Sequence, residues 1–377
     1  MQPLTSRERL LKALRLEQPD RVPVSLYLLD PEAFGWYLSD PTYTELLELA
    51  ERYTDKFGRA DVGNIGPFLS AEGSIPQEIR EERRGNSLFI TTIIHTPKGD
   101  LRSVVRRDDG VYTTWKIEPF LKDMEDVEKF LSLPYVPPEP DLTSFYERER
   151  KLGDKGVMMV GRGDAVGAVA GLFDYQTFAL LMVDRPDVIR RLMDVMQERI
   201  LHLARVLTER LKETLFRITG PEFVGPTLMA PRYFEEYVLP YDRELISVIR
   251  EGDNFACIHC HGKLDAILEM IASMEPDALE PLEPPGAGGD VSLAEVKRRI
   301  GDRVCLIGNI PQRNLESLST PEEIDRQVKG AIEAAAEGGG FILAPVDRPI
   351  QPLTERAQVN FKQFILSGRK YGDRAYR

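Results

Sequence analysis

Apolar residues recur along this chain in two distinct rhythms. At the start, Thr5 stands three residues before Glu8, a capping-box pattern, and Leu10, Leu11, Leu14 and Leu16 form a helical stripe that Pro19 ends. Val22 to Leu28 then predicts a short apolar strand, 41–57 a second helix, and Asp61 to Ile65 a second strand. Between Ser87 and Glu118 the rhythm is that of strands. Ser87–Thr96, Leu101–Arg107 and Val111–Glu118 are rich in Ile, Thr, Val, Tyr and Trp, and turn sequences at 97–100 and 108–110 separate them. This predicts an antiparallel meander over about 86–118. The proline-rich stretch 134–140 reads as a stiff connector.

From residue 156 onward, strands and helices alternate. The predicted strands are Val157–Val160, Leu215–Thr219, Ala256–His259, Ala278–Leu282, Val304–Gly308 and Phe341–Ala344. The predicted helices between them are 174–213 (broken near Pro186), 231–250, 263–274, 292–300 and 320–337, and a C-terminal helix covers about 354–371. Ser292 with Glu295, and Thr320-Pro321-Glu322-Glu323, mark two of the helix starts. Eight strands alternating with helices predict an α/β fold: one (β/α)8 TIM barrel over 1–377, with the meander inserted after the second strand. A doubly wound open sheet is the alternative. No GxGxxG follows a strand, which weakens a dinucleotide-binding reading.

Charge narrows the function classes. With 49 basic and 61 acidic side chains the net charge is -12, so nonspecific binding to nucleic acid or to an anionic membrane is not expected. Three cysteines, Cys257, Cys260 and Cys305, are too few for a disulfide framework. With no apolar leader at the amino end, they point to a reducing, cytoplasmic setting.

In a barrel of this kind, chemistry collects at the carboxyl ends of the strands. The run Phe255-Ala256-Cys257-Ile258-His259-Cys260-His261-Gly262 uses two of the four histidines. In extended backbone, residues two apart point the same way, so His259 and His261 can aim at one point. Arg162 and Asp164 follow the third predicted strand, Glu222 the fourth, Glu280 and Glu283 the sixth, Asn309 the seventh and Asp347 the eighth. Two chemistries are open. His259, His261, Glu283 and Asp347 would make a two-nitrogen, two-oxygen set for zinc or another divalent ion. Without a metal, the histidines and Arg162 would hold substrate carboxylates, and Asp164 or Glu222 would move protons.

Several segments together carry a family resemblance: SRERLLKALRLEQPDRVPV at the start, Ile94-His95-Thr96-Pro97-Lys98-Gly99, LMAPRYFEEYVLPY at 228–241, IHCHGKL at 258–264 and CLIGNI at 305–310. Nearly end to end, the chain resembles the uroporphyrinogen decarboxylase superfamily. The resemblance implies a single (β/α)8 barrel and either of two activities, porphyrinogen decarboxylation or cobalamin-linked methyl transfer. True uroporphyrinogen decarboxylases carry Arg-Gln-Ala-Gly-Arg soon after the first strand; here that region reads Tyr27-Leu28-Leu29-Asp30-Pro31-Glu32. The methyltransferase branch has His-x-Cys after the fifth strand and a later cysteine near the eighth; these positions hold His261 and, at or near it, Asp347. Cobalamin-independent methionine synthase adds a glutamate 24 residues after the histidine, and Glu283 follows His259 at that spacing. A His/His/Glu/Asp set would leave a harder Lewis acid than thiolates do, suited to oxygen substrates. The expectation is zinc-dependent transfer of a methyl group between a small oxygen- or nitrogen-methyl compound and a corrinoid on a separate protein. The usual cobalamin-binding Asp-x-His-x-x-Gly signature is absent from this chain. The alternatives are a metal-free decarboxylase and a non-catalytic binding barrel.

Overall fold

The computed structural model describes residues 3–376 of the 377. Among the described residues, eleven strands fall into two sheets. Strand β1 (Lys56–Arg59) opens a parallel sheet. The next four, β2 (Gln77–Arg84), β3 (Ser87–Thr96), β4 (Gly99–Asp108) and β5 (Trp115–Glu118), form a separate antiparallel sheet in chain order. The parallel sheet continues with β6 (Gly156–Gly163), β7 (Leu215–Thr219), β8 (Phe255–His259), β9 (Ala278–Glu280), β10 (Cys305–Ile310) and β11 (Phe341–Pro345), in the order β1-β6-β7-β8-β9-β10-β11. The fold is thus α/β and barrel-like: a curled seven-stranded parallel sheet wrapped by helices, with an antiparallel sheet inserted after its first strand.

Three sequence expectations change here. The expected strand Val22–Leu28 is reduced to one parallel bridge, Val24 with Leu343. Pro23 has no N–H to give, and the chain turns at Tyr27, whose φ is 49°. This short segment still reaches both edges of the parallel sheet. Ser25 N donates to Leu343 O (2.9 Å), Leu343 N to Pro23 O (2.9 Å), and Asp55 N to Val24 O (2.7 Å). The expected strand Asp61–Ile65 makes only isolated bridges, and the strand proper lies earlier, at β1. The helix before it stops at Tyr53, and fully buried Asp55 then anchors the chain by accepting from Arg9, Arg21 and Val24 N. The inserted sheet has four strands rather than three. The extra one, β2, reads Gln-Glu-Ile-Arg-Glu-Glu-Arg-Arg and is almost wholly exposed. A charged edge strand has no apolar face to announce it, and its charges discourage pairing with other chains.

Alternation along the parallel strands sorts side chains onto two faces. Phe57, Val157, Met159, Leu215, Cys257, Ala278, Cys305, Ile307, Ile342 and Ala344 pack in one apolar cluster, joined by Tyr27 and by Leu10, Leu11 and Leu14 of the first helix (Ser6–Leu14). The intervening residues, such as Met158, Val160, Ile218, Ile258 and Leu306, face the surrounding helices in a second, larger cluster. Thr5 and Thr320 form complete capping boxes. Ser292 caps its helix, but the Glu295 carboxylate turns away to Arg298.

Candidate active site

Register sets the site. Thr219, His259 and Glu280 lie side by side at the carboxyl ends of β7, β8 and β9. One layer below, Arg217 is level with Cys257 and Ala278. Those small neighbours leave room for the long guanidinium to rise among the rim residues. Arg217 Nε donates to Glu280 Oε1 at 2.7 Å, and Arg217 Nη2 donates to His259 Nδ1 at 2.8 Å. Glu280 Oε1 also lies 2.7 Å from His259 Nδ1. Burial by itself would raise the Glu280 carboxyl; its neighbours His259 and Arg217 outweigh it and hold the group below the usual carboxylate range. The Arg217 bond assigns the His259 tautomer. Nδ1 accepts, so the ring proton sits on Nε2, which faces Glu222 Oε1 at 3.9 Å.

His261 stands next to this group. Its ring meets that of His259 edge to face, with centroids 4.6 Å apart and planes at 88°. His261 Nδ1 donates to Glu283 Oε1 at 3.0 Å, and Gly262 N gives a second bond to the same carboxylate at 2.5 Å. Burial pulls the His261 pKa down, but the Glu283 bond and charge outweigh it, so the imidazole holds its proton more firmly than usual. Glu283, raised by burial, is brought below the usual carboxylate range by those same partners. Gly262 has φ +88°, and a Cβ there would fall 2.1 Å from Thr227 Oγ1, so only glycine permits this turn.

The other candidate residues have different settings. Glu222 is half-buried on the turn after β7, its Oε2 accepting from Gly220 N at 3.1 Å. Gly220 has φ +138°, and a Cβ on it would lie 1.9 Å from Asp164 Oδ1. Asp164 is buried beneath that turn, where it caps the helix Ala165–Leu172 by accepting from Gly167 N at 2.6 Å. Burial, then the neighbouring charge of Asp242, drives its pKa well up. Asp242, equally buried, is raised by burial and by Glu222; two such carboxyls cannot both ionise cheaply. Arg162 Nε and Nη2 are buried with no hydrogen-bond partner. Asp347 is exposed and accepts from Arg348 N at 2.7 Å; its charge is felt at His261. His259, His261, Glu222 and Glu283 therefore come together with Glu280 and Arg217, while Asp164 serves the helix behind them.

Zinc was the expectation for this set. Among the described residues, no three of His, Cys, Asp and Glu are gathered closely enough to share one ion. The donor chemistry agrees: with Arg217 donating to Nδ1, the Nε2 of His259 carries a proton and has no lone pair for a metal. As the hydrogen bonds stand, the residues do not fit a metal centre.

Arg217 is the site residue that the sequence reading passed over. A signal existed. Leu215, Arg217 and Thr219 share one face of a strand whose other residues are apolar, and a lone arginine there needs a buried acid.

A sequence model of the uroporphyrinogen decarboxylase (URO-D) family matches residues 121–353, more than half of the chain. The chain belongs to the URO-D family. Over 196 residues this URO-D chain is 26% identical to methylcobamide:CoM methyltransferase MtaA of Methanosarcina barkeri, covering 52% of this chain and 53% of that protein. Over 177 residues it is 27% identical to uroporphyrinogen decarboxylase of Cupriavidus necator, covering 45% of this chain and 44% of that one. The URO-D chain thus spans about half the length of the curated relatives it matches. Its fold is similar to that of a methyltransferase from Methanosarcina mazei, with a TM-score of 0.62, 18% identity, and coverage of 98% of this chain and 99% of that one. Among the described residues no single helix is long and apolar enough to cross a membrane.

Proposed function

We propose that this chain moves a methyl group between a small oxygen- or nitrogen-methyl substrate and a corrinoid carried on a separate protein. The fold part of this reading is an eight-position barrel, with residues 23–25 as the eighth stave between β11 and β1. One observation carries the chemistry. The imidazoles of His259 and His261 meet at 4.6 Å, and each has its Nδ1 engaged by a fixed partner. Both Nε2 edges are then left to serve one small ligand.

The two histidines differ in the partner held at Nδ1, and that difference assigns their roles. The Nε2–H of His259 donates to the leaving heteroatom to orient and polarise it. His261, whose hold on its proton is strengthened by Glu283, supplies the proton from Nε2 as the methyl–heteroatom bond breaks. The electron pair of that bond stays on the oxygen or nitrogen, which leaves as the alcohol or amine. The corrinoid partner supplies the nucleophile that takes the methyl group. Relatives named as a methylcobamide:CoM methyltransferase support this class.

Zinc enters this reading only if His259 changes tautomer, giving Nδ1–H to Glu280 and freeing Nε2. A second reading, metal-free decarboxylation, is favoured by the unpartnered Arg162 nitrogens and by the decarboxylase relatives. The test is incubation with reduced free cobalamin and a panel of methoxy and N-methyl compounds. Corrinoid consumption by absorbance and demethylated product by NMR are expected, both lost in His261→Gln. Carbon dioxide release from carboxylic acids without corrinoid would assign decarboxylation instead.

A further inference from the structure

Two carboxyls are buried behind the histidines, on separate elements. Asp164 precedes the helix Ala165–Leu172, and Asp242 lies in the first turn of the helix Leu239–Glu251. Each is 1% exposed. Asp164 Oδ1 accepts from Gly167 N at 2.6 Å, while Oδ2 of each carboxyl is shielded from solvent with no donor from the rest of the protein. The two side chains hydrogen-bond to each other. Two carboxylates have no proton with which to form that bond, so one of the pair must carry one. Burial without a cation favours the same outcome: the leading charges on the pair are its own and that of Glu222.

We infer that Asp164 and Asp242 share a single proton and are positioning residues for Glu222, setting its carboxylate against the Nε2 edge of His259. The turn that carries Glu222 rests directly on Asp164. Asp164 N donates to Thr219 O at 2.9 Å. A Cβ on Gly220 would lie 1.9 Å from Asp164 Oδ1, and one on Gly167 would lie 2.6 Å from the Gly220 Cα. The strand end, the turn and the helix start therefore meet with no room for another side chain between them. Gly220 N holds Glu222 Oε2 at 3.1 Å, which leaves Oε1 to face His259 Nε2 at 3.9 Å. A shift of the Asp164 carboxyl moves Gly220, and with it the acid beside the ring edge that the proposed transfer uses.

Charge couples the same parts. Glu222 acts on both buried carboxyls. Cys260, beside His259 in the chain, is pushed up by burial first and then by Glu222, Asp164 and Asp242. The long helix Pro186–Arg210 packs against the helices of both carboxyls and adds none of the leading charges. With one proton held between them, the pair presents a single negative charge beneath Glu222. When that proton leaves at alkaline pH, a second charge appears there with no cation to offset it. Like charges repel strongly in so dry a place. Glu222, half-buried at the outer end of the stack, is the member free to move away.

The spectroscopic tests of this inference need no corrinoid; its kinetic test alone rests on the proposed methyl transfer. Infrared spectra of the full chain at neutral pH should show a protonated-carboxyl component that shifts in heavy water. It should be lost in Asp164→Asn and in Asp242→Asn, whose amides replace the shared proton as donor. The nitrogen NMR resonance of His259 Nε2 should show an alkaline step that tracks loss of this component in the native chain and is absent from Asp242→Asn; titration of His261 is common to both chains. In methyl transfer, Asp164→Ala should lower kcat about tenfold or more with little change in KM. Asp164→Asn, which keeps the cap on Gly167 N, should recover most of that loss. No protonated carboxyl in the native chain, a component retained in full in both asparagine variants, or a His259 resonance indifferent to its loss would overturn the inference, and the first of these needs no variant to fold. The infrared component and the His259 step without any methyl transfer to reduced cobalamin would uphold the pair and remove the methyl-transfer reading.

Discussion

Arg217 donates to His259 Nδ1 at 2.8 Å, and this bond decides which edge of the ring carries a proton. Were Nδ1 instead to give a proton to Glu280 Oε1, which lies 2.7 Å away, Nε2 would be left as a lone-pair donor, the arrangement common among metal-ligating histidines. An arginine does the opposite. Removing it should therefore change the metal chemistry of the site. In Arg217→Met, His259 is free to give Nδ1–H to Glu280 and to present Nε2. Zinc affinity measured by calorimetry should rise about tenfold or more over the native chain. Native protein that purifies with one tightly held zinc per chain, lost in His259→Ala and His261→Ala, would contradict the assignment.

The His261–Glu283 pair should titrate in a defined direction. The folded pKa of His261 lies above its ordinary 6.5, so its contribution to stability is complete below that value and is lost as pH rises through the folded pKa. Glu283 has a folded pKa below its ordinary 4.5, so its contribution is complete above that value and is lost as pH falls through the folded pKa. The pair is thus most favourable between the two ordinary values. NMR titration should find the His261 imidazole protonated past pH 6.5. In Glu283→Gln the remaining burial should pull that pKa down, and methyl-transfer activity should fall away at a lower pH than in the native chain.

Asp55 should carry much of the joint between the amino-terminal segment and the parallel sheet. It is fully buried, with Arg9 Nη1 at 2.7 Å, Arg21 Nη1 at 2.8 Å and Val24 N at 3.0 Å. Asp55→Ala takes the close carboxylate from buried Arg21 and leaves Arg9 with Asp20, and should cost about 3–5 kcal/mol in denaturant unfolding. A loss under about 1 kcal/mol, with the circular dichroism unchanged, would mean that water reaches the arginines.

Uroporphyrinogen should be a poor substrate. The region after the first stave reads Tyr27-Leu28-Leu29-Asp30, and Asp30 is itself held by Arg148 at 3.1 Å and by Arg59 N at 2.8 Å. An acid stands where a porphyrinogen's many carboxylates would need cations. Fluorescence after oxidation of the products should detect no coproporphyrinogen; its formation at ordinary enzyme rates would refute the expectation.

The sequence by itself determined the alternation of strands and helices after residue 156, because each strand there is an apolar run bounded by clear caps and turns. Leu215–Thr219 and the strand ending in His259 were legible to within a residue. It also determined that His259 and His261 share a direction, since that follows from the period of extended backbone. Only the tertiary structure decided the rest. Whether 22–28 was a strand depended on Pro23 and on Asp55, which lies far along the chain. The start of the inserted sheet lay in a charged edge strand with no apolar alternation to betray it. The partner of each histidine depended on register. Neighbouring strands brought Arg217 below His259 and Glu280 beside it, and no local pattern encodes which residue of one strand stands level with which residue of the next.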